Sequence, residues 1–157
     1  MTPDGHAEKK IEELLEFINN SPGPASAIRN ASLHLEEAGF VRLEEDRQWH
    51  LEPGKRYYLV RNGGSIVAFY LGTDPIYETG IRIAAAHTDS PALKIKPASE
   101  STKGGTVRVS VEVYGGPIYH SWLDRSLGVA GEVVVRNGES LEARSFVAER
   151  PIAVIPN

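Results

Sequence analysis

His87 and Asp89 are the residues of this chain best suited to chemistry. They stand two apart in Ala84-Ala85-Ala86-His87-Thr88-Asp89-Ser90-Pro91, just after the apolar run Ile81-Arg82-Ile83. Side chains alternate along a strand, so a strand over 81–86 would send both residues out on one face at its C-terminal end. In open α/β sheets ligands gather at that end. An imidazole can ligate a metal, and a neighbouring carboxylate can fix its tautomer or take part in catalysis. Together they make half a metal site. Residue types alone also allow a plainer explanation, because most His-x-Asp pairs are surface contacts or strand-end hydrogen bonds.

The longer string separates the two. Ala86-His87-Thr88-Asp89-Ser90-Pro91 after an apolar run resembles the signature of the M18 metallopeptidases, the aspartyl aminopeptidase family. Other landmarks follow in the family's order. Phe17-Ile18-Asn19-Asn20-Ser21-Pro22 with Glu36-Glu37-Ala38-Gly39-Phe40 is similar to its opening, and Lys55-Arg56-Tyr57-Tyr58 with Arg61-Asn62-Gly63 to its first hairpin. Tyr114-Gly115-Gly116, Trp122-Leu123-Asp124-Arg125, Gly128-Val129-Ala130-Gly131 and Arg150-Pro151-Ile152 continue the likeness. Leu123 and Ser126 depart from it, standing where the family usually has Phe and Asp.

The resemblance implies a zinc-dependent aminopeptidase that releases N-terminal, preferably acidic, residues from peptides. His87 would be one zinc ligand and Asp89 the adjacent catalytic carboxylate. Two zinc ions are implied for the complete enzyme, where they lower the pKa of a bound water and polarise the scissile carbonyl. The general base and the other ligands lie further along the family's chain. The expected fold class is α/β: residues 1–97 as the N-terminal part of the catalytic domain, then 98–157 as the start of an inserted β-rich dimerisation domain that assembles homo-oligomers. On this resemblance the chain reads as an N-terminal fragment, inactive alone, because one His cannot hold a catalytic zinc.

Several elements must position the pair. Residues 7–20 carry Ile11, Leu14, Leu15 and Ile18 at helical spacing opposite Glu8, Glu12, Glu13 and Glu16, which predicts an amphipathic helix. Ser21-Pro22-Gly23-Pro24 ends it. A second helix is predicted from about Ala25 to Ala38, with Ile28, Ala31 and Leu35 inward and Gly39 at its C-terminus. Asn62-Gly63-Gly64 between Tyr57–Arg61 and Ser65–Leu71 signals a hairpin. Strands are expected at Ile81–Ala86, Leu93–Lys96, Thr106–Tyr114, Glu132–Arg136 and Ile152–Ile155. The shift toward nearly pure strand falls at residues 97–105, which is where the domain boundary is expected.

Other constellations carry less. His120 and Asp124 share a spacing that metals use on helices, but Gly115-Gly116-Pro117 before them and Gly128 after argue against a helix there. Glu36 and Glu37 read as solvated. Trp49, Tyr57, Tyr58 and Trp122 lack interleaved basic residues and read as core and interface aromatics rather than a stacking platform. Gly104-Gly105 and Gly115-Gly116 are not followed by the Lys-Ser/Thr of a phosphate loop. There is no Gly-x-Ser-x-Gly elbow.

Composition narrows the class further. With 41% hydrophobic and 24% charged residues in 157, the chain is of ordinary globular type. A net charge of −4 and the want of a basic cluster exclude nucleic acid as the main partner. No apolar run approaches the ~18 residues of a membrane helix, and the first ten residues lack a signal peptide's apolar core. The chain has no cysteine, which removes disulfides, thiolate metal sites and a Cys nucleophile and fits a reducing compartment. The expected location is cytoplasmic. A rival from another class is a non-catalytic self-association module or truncated pseudoenzyme, which a genuine stop codon after position 157 would favour.

Overall fold

The structure, a computed structural model, describes residues 5–148 and 150–157. Helix α1 (Gly5–Asn19) and helix α2 (Pro24–Glu37) form where the apolar spacing predicts them. Pro24 opens α2 at a position whose N–H would have no intrahelical partner in any case. Ser26 Oγ accepts from the Gly23 N–H at 3.0 Å and donates to the Gly23 carbonyl at 2.7 Å, fixing the entry turn. At the other end Phe40 N–H reaches the Leu35 carbonyl and Gly39 N–H the Glu36 carbonyl, both at 2.9 Å. That double closure needs a left-handed residue, and Gly39 supplies it at φ 80°.

The chain then builds a small sheet in the order β1-β2-β3. Strand β1 (Val41–Arg42) runs parallel to β2 (Arg56–Arg61), and β2 pairs antiparallel with β3 (Ser65–Tyr70) in unbroken register from Arg56↔Tyr70 to Arg61↔Ser65. Its connection places Asn62 at φ 50° and Gly63 at φ 63°, backbone that Asn and Gly tolerate best. The core lies between this sheet and α2: among the described residues Ala27, Ile28, Tyr57 and Tyr58 are the buried hydrophobic ones. Helix α1 buries none. Its Ile11, Leu14, Leu15 and Ile18 stay more than half exposed, so the helical half carries an uncovered apolar stripe as well as charge.

Helix α3 (Ile76–Thr79) is one turn, closed by Gly80. The strand expected at 81–86 does not form: residues 81–87 carry no regular secondary structure, and Ile81 and Ile83 are 71% and 83% exposed. A strand of this apolar kind is stable only when paired on its edges and covered on both faces. Among the described residues it pairs with no neighbour.

Two further hairpins follow. Strand β4 (Ala92–Lys103) pairs antiparallel with β5 (Thr106–Tyr114), and the register shifts so that Lys96–Ser99 stand opposite Ser110 alone. Pro97 falls in this bulge, where no ladder donor is required of it. Positions 97 and 98 thus lie inside β4. Strand β6 (Ala130–Asn137) pairs antiparallel with β7 (Ser140–Val147) from Ala130↔Val147 to Asn137↔Ser140. The segment expected as a strand at 152–155 makes only isolated bridges, Leu127↔Ala153 and Leu123↔Ile155. Among the described residues no helix is long and apolar enough to cross a membrane.

The chain divides into two compact units, one running up to Thr88 with Ala130–Val147, the other Asp89–Val129 with Ala148–Asn157. Within the first, α2 touches the β6–β7 hairpin: Arg29 donates to Ser145 Oγ and lies 4.0 Å from a Glu132 carboxylate oxygen. Within the second, the Asp124 N–H donates to the Ile155 carbonyl and Asp124 Oδ1 accepts from the Asn157 N–H. The accessible surface totals 13058 Å². A folded chain of this mass exposes about 7,800 Å², and even two separate bodies of half the mass about 9,400 Å². Much apolar surface is therefore left uncovered by the chain itself.

Candidate metal and catalytic site

Asp89, Ser90 and Pro91 lead directly into β4, and the far end of β5 folds back beside them. Ala92 and Tyr114 are register partners. From that rung the Tyr114 hydroxyl donates to an Asp89 carboxylate oxygen. The next residue, Gly115, has φ 73°, and a Cβ there would come within 3.4 Å of Pro91 Cα. Glycine lets the turn close over Pro91. The half-buried carboxylate is thus held by a neighbouring strand end. The Asp89 carboxylate in turn keeps the Tyr114 hydroxyl above its usual pKa, through the hydrogen bond first, its negative charge second and desolvation third.

His87 is exposed, at the end of the irregular segment that follows α3. The division between the two compact units falls between Thr88 and Asp89, so the two residues of the motif belong to different units. Among the described residues no three His, Cys, Asp or Glu side chains form a group that could hold a metal ion. These residues do not fit a complete zinc site; they offer one imidazole toward one.

The remaining constellations are structural. Asp124 adopts φ 52° and ties the 124–127 turn to residues 155–157. His120 sits in a 3-10 turn, Tyr119–Ser121. Glu36 accepts a hydrogen bond from Tyr58. In the first unit a concavity of about 300 Å³ is lined by Pro22–Ser26, Asn62–Gly64, Ala130–Glu132 and Ser145–Val147. Its only ionisable lining residue is Glu132, which faces Arg29. One carboxylate, already facing Arg29, does not make a metal ligand set. Sequence reasoning did not find the Tyr114–Asp89 contact; the two are 25 residues apart, and Tyr114-Gly115-Gly116 reads in one dimension only as a turn.

Comparison with known proteins bears on most of the chain. The sequence profile of the family described as aminopeptidase I zinc metalloprotease (M18) matches residues 17–157. A curated relative from Ectopseudomonas mendocina, named probable M18 family aminopeptidase 2, is 46% identical over 150 residues, covering 96% of this chain and 35% of the relative. Among solved structures, one from the complex of Ape4 and Nbr1 superposes with a TM-score of 0.88 at 39% identity, covering 92% of this chain and 28% of that one. The Saccharomyces cerevisiae mApe1 dodecamer gives 0.85 at 29% identity, over 97% of this chain and 36% of that one. The chain spans about a third of the length of the curated relatives it matches. These likenesses bear out the α/β fold class.

Proposed function

The chain belongs to the M18 family of aminopeptidase I zinc metalloproteases, and on that premise we propose that it forms about a third of an aminopeptidase. The observation that carries the reading is that the family match runs through the entire His87–Pro91 segment, in which Asp89 is already held in place by Tyr114. His87 would offer zinc one imidazole ligand. Asp89 would be the catalytic carboxylate of the motif. The other ligands and the general base come from the part of the family's length that this chain does not span.

Substrates on this reading are peptides, with the N-terminal residue released and acidic residues preferred. A cytoplasmic location is supported by the cysteine-free composition. The β-rich part from residue 98 onward belongs to an assembly domain, and the protein works as a homo-oligomer; the dodecameric solved relative supports this. The exposed valines of β5 and the apolar residues of β6 and β7 also favour the second reading, a module that only self-associates.

One experiment separates the two. Aspartyl and glutamyl anilides are offered, with zinc, cobalt or manganese, to the 157-residue chain and to a chain extended to full family length. Hydrolysis by the extended chain alone is the expected outcome. An extended chain that assembles but never cleaves would favour the module. Turnover that co-purifies with the short chain and vanishes in His87→Ala would refute the division of the site.

A further inference from the structure

We propose that Tyr114 is a positioning residue for Asp89: its hydroxyl fixes the direction of the carboxylate relative to the β4–β5 hairpin. The inference rests on the reading of Asp89 given above and adds a residue to it.

The argument is geometric. Asp89 lies on a segment without ladder hydrogen bonds of its own in the secondary structure. A carboxylate on such a segment can turn about two side-chain bonds, and a site that uses it must suppress that freedom. Tyr114 supplies a constraint of this kind. It is the last residue of β5 and the register partner of Ala92, three residues after Asp89. The hairpin therefore fixes the origin of the phenol relative to the chain that carries Asp89. Gly115 closes on Pro91, one of the two residues between Asp89 and Ala92, and keeps that short segment close to the strand end.

The chemistry of the donor matters as much as its place. A phenol is neutral at physiological pH, so it holds the carboxylate without cancelling its charge. An Arg or Lys in the same position would form an ion pair and remove much of the field that the carboxylate is there to provide. Tyr114 is 49% exposed, and its ring is not part of the buried core. Losing its hydroxyl should leave the fold intact.

Two measurements test this. In the 157-residue chain, the side-chain carboxyl carbon of Asp89 is followed by NMR before and after Tyr114→Phe. A displaced or broadened resonance with an unchanged melting temperature is expected; an unchanged resonance would overturn the contact. In a chain extended to full family length and loaded with zinc, Tyr114→Phe is expected to lower kcat by about 10- to 100-fold, the usual effect of losing such an outer partner, with KM unchanged. The same change made on top of Asp89→Ala should then do nothing further. Full kcat in Tyr114→Phe beside an inactive Asp89→Ala would refute the role of Tyr114 alone. Full activity in Asp89→Ala would instead remove the reading on which the role depends. An equal loss from Tyr114→Phe with and without Asp89 would show that the tyrosine acts elsewhere.

Discussion

The hydroxyl of Tyr58, a side chain with no exposed surface, donates to the carboxylate of Glu36 and ties β2 to the end of α2. The carboxylate sits at the surface, so the pair lets a phenol enter the core without losing its hydrogen bond.

Burial raises the Tyr58 pKa above the ordinary 10.0, and the hydrogen bond to Glu36 and its charge add to the effect, while Arg42 opposes it. A raised folded-state pKa favours the protonated phenol. The stability it contributes is complete below the unfolded value and is lost as pH rises through the folded one. The melting temperature should therefore hold up to about pH 10 and fall beyond it. In Tyr58→Phe that alkaline fall should be smaller, and the neutral-pH stability lower by about 1 kcal/mol. Melting curves from pH 7 to 11 for both proteins decide this; parallel curves would contradict it.

Ile28 and Ile83 look alike in sequence but differ in the structure. Ile28 is 3% exposed on the inner face of α2, whereas Ile83 is 83% exposed. Ile28→Ala should cost about 2–5 kcal/mol. Ile83→Ala should stay within about 0.5 kcal/mol in this chain, not the larger cost that a buried strand at 81–86 would give. Urea unfolding of the two variants measures the difference directly.

The uncovered apolar surface has a consequence in solution. Val107, Val134, Leu141, Ile152 and Val154 are each at least 60% exposed, and open strand edges recruit other chains. The isolated chain should self-associate as its concentration rises, through the strand-rich residues 106–157. The exposed stripe of α1 adds a second surface that sequence periodicity alone would place inside. Light scattering over a dilution series tests the expectation. A monomer persisting up to hundreds of micromolar would contradict it.

What was legible in the sequence was what local rules decide. Gly39 ended α2 and Asn62-Gly63 turned the first hairpin because a left-handed backbone selects those residues. The valines of β5 alternated because pleating has period two. What stayed illegible depended on partners distant in the chain. The apolar run Ile81–Ala86 has strand composition but no neighbouring strand among the described residues. The helix α1 stripe has helical spacing, and the chain supplies little to cover it. At the candidate site, His87 and Asp89 could be picked out by type and spacing, but Tyr114 could not. No periodic pattern links it to Asp89; only the β4–β5 register brings the two together.

The most direct test of the central claim is the zinc content of His87→Ala in a chain extended to full family length, measured beside its turnover and melting temperature. His87 is exposed and contributes little packing, so zinc and activity should be lost while the melting temperature stays within about 2–4 °C of the parent, the shift that 1 kcal/mol would give a protein of that size. Full zinc occupancy with normal turnover would show that His87 is not a ligand, and the motif would then carry no chemistry.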